Sequence, residues 1–307
     1  MALIGQDFIP PDIYGKVTGR ARYAEDFRRD GMVFCKLLLS PMPHARVRNV
    51  DASAALAMPG VVGILLPDDV PEQEGLANNI LTYEPHFVGE PILAIAAVDE
   101  TTAQNAIDAI RLDMEPLEFC TDPLESLRPG GPNARTDGNV VGEDGVIEVK
   151  WTDEDFAAAG EGQLPMGRPT EEWSYGDVEA GFAEAALVLD ETFVTASTSH
   201  HSMEPRTAFA YWENGKCFLH GSSQSQSLPL PGLAAYIGID PGDLVFIAEY
   251  CGGGFGSKGG AYPLMTIPAH FSRKISRPVL MRISRAEEAL LGSARPGFQG
   301  RIRMGFR

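Results

Sequence analysis

Ten consecutive residues, Cys251–Gly260 (CGGGFGSKGG), have the strongest chemical potential in the chain. Glycine lets a backbone pass close to a ligand and turn successive N–H groups toward oxygen atoms. The flanks read as a strand, Leu244–Tyr250, and an apolar helix near Tyr262–Ile275. Three readings compete for this run. Gly254-Phe255-Gly256-Ser257-Lys258-Gly259 satisfies G-x-G-x-x-G, and a strand–turn–helix context is the one a dinucleotide site requires. That fingerprint also needs an acidic residue about 20 positions on. Arg273–Met281 contains none, and the nearest candidates are Glu287 and Glu288. A phosphate loop of the G-x-x-x-x-G-K-[ST] type fails because Ser257 stands before Lys258, where glycine is required. The third reading is a tight turn with no ligand.

Other reactive residue types give weaker signals. His200, His201 and Glu204 offer imidazole and carboxylate, but adjacent side chains on a strand point to opposite faces and no third ligand is near in sequence. Lys258 could neutralise a pyrophosphate; an exposed lysine at a helix start is the plainer expectation. Cys35, Cys120, Cys217 and Cys251 form no C-x-x-C pair, which argues against a zinc or iron–sulfur site and for reduced, mostly buried thiols. Cys251 beside the glycines has no histidine related to it by sequence, so a nucleophilic role has little support.

The elements that must position these residues fall into two groups. Val33–Ser40, Arg46–Asp51, Val61–Leu66, Pro91–Val98 and Arg111–Phe119 read as strands, with helices over Ser53–Met58 and Thr101–Ile110. This describes a compact α+β domain ending near Leu127. From Arg128 to about Tyr175 the chain is rich in Gly, Pro, Asp and Glu, and reads as a long connection. Beyond it come a helix capped by Asp177, a strand Ala186–Ser197, and a hairpin of Phe209–Trp212 with Cys217–His220 about a Glu213-Asn214-Gly215 turn. A helix at Pro231–Ile237, a strand Pro278–Ile283 and a last helix opened by the Ser284/Glu287 capping box complete the second group. Gly300–Arg307 alternates as a strand and is expected to lack a mate, as if the second domain were cut or split.

At 307 residues, 44% of them hydrophobic, the chain has enough apolar material for two cores. A net charge of −17 disfavours nucleic acid and anionic membrane surfaces as partners. No apolar run approaches the ~18 residues of a membrane span, and Met1–Pro10 lacks the pattern of a secretory signal, so a cytoplasmic protein is expected.

Several short motifs occur in a fixed order: Gly15–Asp26 (GKVTGRARYAED), Ser40–Arg46 (SPMPHAR), Asp51–Val62 (DASAALAMPGVV), Gly89-Glu90-Pro91, His201–Pro205 (HSMEP), Ser222-Ser223-Gln224 and Gly252–Lys258 (GGGFGSK). In that order and rough spacing the chain resembles the N-terminal portion of the molybdenum-cofactor-binding (large) subunits of the xanthine dehydrogenase and aldehyde oxidase family. The resemblance runs from about Gly15 to Arg307. It implies a lead-in at 1–14, an α/β-hammerhead domain at 15–130, a connection at 131–175, and the first molybdenum-cofactor-binding domain, incomplete, at 176–307.

The same resemblance implies site residues. Gln224 would hydrogen-bond an oxygen ligand of the metal, and the loop Gly253, Gly254, Phe255 and Gly256 would approach the cofactor, with the Gly256 N–H facing its apical side. The cofactor would be molybdopterin or its cytosine dinucleotide form. No residue of this chain would ligate the metal, and the general-base glutamate would lie beyond Arg307. The implied reaction is hydroxylation of an aldehyde, N-heterocycle or similar electrophilic carbon with oxygen from water. Electrons would pass to a [2Fe-2S] subunit and an FAD subunit, and a further chain would carry the second cofactor domain. Family members acting on purines carry a glutamate directly after the loop lysine; here Gly259 disfavours a purine. Two other functions stay open, a nicotinamide-dependent dehydrogenase built on Gly254, Gly256 and Gly259, and a non-catalytic scaffold subunit.

Overall fold

The computed structural model describes residues 4–71, 79–142, 145–167 and 171–307. Residues 1–3 of the lead-in, and 143–144 and 168–170 of the expected connection, lie outside them. The chain divides into two compact units, one of residues Met1–Glu115 and His200–Ser293, the other of Pro116–Ser199 and Ala294–Arg307.

The first unit is organised by a seven-stranded sheet in the order Leu244–Ile247, Lys216–Gly221, Thr207–Glu213, Val279–Arg282, Val33–Leu39, Pro91–Ala97 and Val61–Leu65. The apolar run Pro91–Ala97 is buried at every position, because it is sandwiched between antiparallel neighbours and covered on both faces. The two halves of the sequence meet where Val33–Cys35 run parallel to Val279–Met281. The hairpin Thr207–Glu213/Lys216–Gly221 turns at Asn214 (φ 52) and Gly215 (φ 78). These are the left-handed conformations that a two-residue turn between twisted strands needs.

Helices cover the sheet through apolar faces. In Glu100–Ala109, capped by the Asp99 carboxylate on Thr102 N at 2.7 Å, residues Ala103, Ala106 and Ile107 are buried, as their spacing requires. Ile267–Ile275 buries Ile267, Ala269 and Phe271 against two core clusters at once. Burying a side chain such as Phe271 contributes roughly 2–3 kcal/mol. The expected helix near Tyr262–Ile275 opens with a 3₁₀ turn, Pro263–Thr266. The last helix, Arg285–Leu291, has the reciprocal Ser284/Glu287 cap its sequence predicts.

In the second unit the residues expected to form a long connection include the small hairpin Val140–Gly142/Gly145–Ile147 and the helix Asp153–Ala159, capped by Thr152. The expectation of an unmated final strand is overturned. Phe298–Phe306 pairs antiparallel with Leu187–Thr195 over its whole length. Two segments more than a hundred residues apart supply each other's edge, a pairing that local alternation could not reveal. Arg301 clamps the ribbon with Nε and Nη2 on the two oxygens of Asp190, at 2.6 and 2.8 Å. That guanidinium holds the Asp190 carboxyl below the usual carboxylate range. Among the described residues no helix is long and apolar enough to cross a membrane.

Candidate functional site

The glycine run is a loop within the first unit, following the strand Leu244–Ile247. Gly253 (φ 102), Phe255 (φ 53) and Gly256 (φ 101) take positive φ, so the backbone turns sharply and its N–H groups converge. They converge on Gln224. Its Oε1 accepts from Gly256 N at 3.0 Å and from Lys258 N at 3.2 Å, and Gln224 N donates to the Lys258 carbonyl at 3.0 Å. Two N–H donors on one atom identify it as the amide oxygen, which leaves the Gln224 NH2 as the donating end. The contact is close: a Cβ on Gly254 would lie 2.2 Å from Gln224 Oε1. Gly254 is therefore needed so that the loop can meet Gln224.

Beneath the loop lies a network of buried charge. Lys258, expected at the surface, is fully buried. Its ammonium donates to the Glu204 carbonyl and to Ser222 Oγ, both at 2.6 Å, and stands 3.3 Å from Glu204 Oε2. That carboxylate oxygen also accepts from Gly252 N at 2.7 Å and Ser222 Oγ at 2.8 Å. Glu204 thus ties the strand end, the loop start and the lysine together. A second pair braces the other side. Arg206 bonds Glu288 and the Ser257 carbonyl through its guanidinium, and its backbone N donates to Glu288 Oε2 at 2.8 Å. Charges this deep persist only when paired and hydrogen-bonded, and such pairing fixes geometry.

The sequence-derived residues therefore come together. Gln224, Phe255 and Gly256 form an exposed rim over the half-buried Gly253 and the buried Gly254, with Phe255 62% exposed. One detail differs from the expectation: the Gly256 N–H, expected to face an oxygen of the cofactor, is directed at Gln224. His200 and Glu204 are not brought together as metal ligands. The His200 ring lies against the Ser293 carbonyl, and Glu204 serves Lys258. Cys251 is half-buried, and burial raises its thiol pKa, the opposite of what an activated nucleophile needs. The dinucleotide reading loses its acid. Glu287 caps its own helix, Glu288 is held by Arg206, and the next helix begins only at Pro263.

Sequence reasoning missed Arg206 and the buried role of Lys258, because a lone cation in a sequence gives no sign of burial. An oxygen-rich group suits the rim. Ser202 Oγ, Glu204 Oε1 and Ser257 Oγ are buried around the loop without a hydrogen-bond partner among the described residues, and the exposed Gln224 adds an NH2 donor. These are the donor and acceptor types that would hold a polar pterin and its metal-bound oxygens.

Residues 18–118 match the model of the aldehyde oxidase and xanthine dehydrogenase a/b hammerhead domain, and residues 163–307 that of the molybdopterin cofactor-binding domain. The chain is 28% identical over 299 residues to the nicotine 6-hydroxylase large subunit of Paenarthrobacter nicotinovorans, covering 90% of this chain and 33% of that protein. It is 26% identical to the nicotinate dehydrogenase large molybdopterin subunit of Eubacterium barkeri, covering 95% of this chain and 64% of that one. The CO dehydrogenase of Oligotropha carboxidovorans superposes with a TM-score of 0.76 at 23% identity, over 98% of this chain and 37% of that chain. The chain thus spans between a third and two thirds of the length of these relatives.

Proposed function

The chain belongs to the xanthine dehydrogenase and aldehyde oxidase family, as a hammerhead domain followed by a molybdopterin cofactor-binding domain, and on that premise we propose that it forms one wall of the molybdenum site of a hydroxylase. The observation that carries this reading is the Gln224 amide. Its oxygen is held by two loop N–H groups, which leaves the NH2 of this exposed residue as the donating end. Gln224 would donate to an oxygen of the cofactor, in the pterin or pterin cytosine dinucleotide form. Phe255 would shield that contact from water, while Gly253, Gly254 and Gly256 would allow the close approach.

Bound there, the cofactor would supply two-electron oxidation of a carbon centre with oxygen from water. This chain's own part is orientation. Lys258 and Glu204 fix the loop, Arg206 and Glu288 fix its far end, and the loop fixes Gln224. The substrate class is an aldehyde, an N-heterocycle or a similar electrophilic carbon, and Gly259 argues against a purine. The general base, a [2Fe-2S] centre and FAD would come from partner chains or domains. Domain limits of 15–130 for the hammerhead and 176–307 for the cofactor domain are part of the same proposal, with a lead-in at 1–14 and a connection at 131–175. The ribbon Leu187–Thr195/Phe298–Phe306 supports the need for partners: Leu187, Phe193, Val194, Phe298, Ile302 and Met304 are each at least half exposed. A permanent assembly would cover such a surface within an interface on the order of 2,000 Å² or more.

The test is Gln224→Glu in the assembled protein. Glutamate keeps the acceptor for the Gly256 and Lys258 N–H groups and removes the donor. Molybdenum content by elemental analysis and substrate turnover should both fall while the thermal midpoint stays near the wild-type value. Normal molybdenum and turnover in the variant, or a native complex fully loaded with another metal and free of molybdenum, would reject the reading. Turnover that survives every change at the loop would favour the scaffold function. Tight NAD(H) binding by the purified chain would favour the dehydrogenase.

A further inference from the structure

The start of the strand Ala45–Asp51 is drawn against residues 83–85 by backbone hydrogen bonds, Val47 N to Tyr83 O at 2.7 Å and Ala45 N to Pro85 O at 3.2 Å. This zipping brings His44 alongside Glu84 and His86, forty positions away in sequence. One donor atom from each of the three can be chosen so that all lie within 4.8 Å of one another. His44 Nε2 stands 3.6 Å from Glu84 Oε1, and the two imidazole rings are 5.2 Å apart between centroids. We propose that His44, Glu84 and His86 form a binding site for a divalent transition ion of the zinc class.

The donor chemistry selects the ion. Two imidazoles and one carboxylate suit zinc and its first-row neighbours, whereas calcium and magnesium require oxygen ligands throughout. Three protein ligands leave a fourth position for water, the open arrangement of a zinc site that is not closed by protein. Zinc bonds to nitrogen and oxygen of about 2.0–2.2 Å place tetrahedral ligands roughly 3.4 Å apart. The three donors are therefore an ångström or so from their final spacing. The ligand best fixed is His44, with a side chain only 1% exposed. The Glu84 and His86 side chains, 32% and 24% exposed, leave a path from solvent.

The surroundings orient these ligands. Arg46 donates Nε and Nη2 to Glu84 Oε2 at 2.9 and 2.8 Å, which turns the other oxygen, Oε1, toward His44. Glu90 accepts from His86 N at 2.6 Å and stands 3.8 Å from His86 Nδ1, a carboxylate beside an imidazole of the kind that orients metal-bound histidines. The charge of Arg46 opposes a cation, and the two carboxylates of Glu84 and Glu90 exceed it. None of these residues belongs to the glycine-loop site.

The probe is zinc itself, titrated calorimetrically into the purified protein with any chains that accompany it, with Co2+ difference absorbance reporting geometry. The wild type should bind one saturable zinc equivalent at this site and give visible cobalt bands of tetrahedral intensity. His86→Ala and Glu84→Gln, at partly exposed positions that a folded chain tolerates, should each weaken that equivalent at least tenfold and remove the bands. The half-buried His200 and the exposed His201 are the rival ligands, so His200→Ala/His201→Ala should leave both signals unchanged. The proposal is overturned by the absence of a saturable equivalent, by His86→Ala and Glu84→Gln that bind as the wild type does, or by loss of binding only in the His200/His201 variant. Because the readout is zinc and not turnover, failure here leaves the molybdenum reading standing, and the converse also holds.

Discussion

Lys258→Met would test the buried network most directly. Methionine preserves most of the apolar stem of lysine and removes the ammonium, so the change isolates charge from packing. In the wild type that ammonium makes two 2.6 Å hydrogen bonds and faces a carboxylate whose side chain is 9% exposed. Without it, Glu204 keeps Gly252 N and Ser222 Oγ but has no counter-ion. Breaking a buried pair by removing one partner costs about 3–5 kcal/mol, against about 0–1 kcal/mol for an exposed pair. For a unit of this size each kcal/mol lowers the melting midpoint by roughly 2–4 °C, so a fall on the order of 10 °C is expected. Scanning calorimetry of wild type, Lys258→Met and Lys258→Met/Glu204→Gln in parallel would measure it. The double variant, which removes the stranded carboxylate charge, should recover part of the loss. A shift of 2 °C or less in the single variant would refute the reasoning, because it is the response of a solvated lysine.

Three further outcomes follow from the same structure. Gly256→Ala forces a Cβ onto a residue at φ 101, which costs of order 1–3 kcal/mol, and should lower molybdenum content and turnover together while circular dichroism keeps its native form. His220 and His270 are pushed down to about 4 by burial, from an ordinary value of 6.5. Between those values the unfolded chain binds more protons than the folded one, so stability should fall as pH drops from about 6.5 toward 4, and a denaturant series at pH 7, 6 and 5 with no slope would contradict this. Burial raises the Cys35 thiol strongly and pushes the Cys217 thiol up to about 12. Iodoacetamide at pH 8 should therefore label Cys120 in the native protein, and Cys35 and Cys217 only after denaturation, as peptide mass mapping would report.

Much of the local structure was legible without coordinates, for physical reasons that act over a few residues. The apolar run at Pro91–Ala97, the 3.6-residue spacing of Ala103, Ala106 and Ile107, the Asn214-Gly215 turn and the Ser284/Glu287 cap each specify their element through propensity and hydrogen bonding close in sequence. The glycine run announced a close backbone approach, and its motif company pointed to Gln224. Long-range partnership was not legible. That Val33–Leu39 lies beside Val279–Arg282, that Phe298–Phe306 finds its mate in Leu187–Thr195, and that residues 83–85 bring Glu84 and His86 to His44 depend on chain closure over tens to hundreds of residues. Burial of charge was hidden for the same reason. A lysine or arginine in a sequence reads as solvated, and only packing from distant segments decides that Lys258 and Arg206 face Glu204 and Glu288 instead of water. Sequence by itself determined which residues could meet a ligand, and the tertiary structure decided which of them are held still enough to do so.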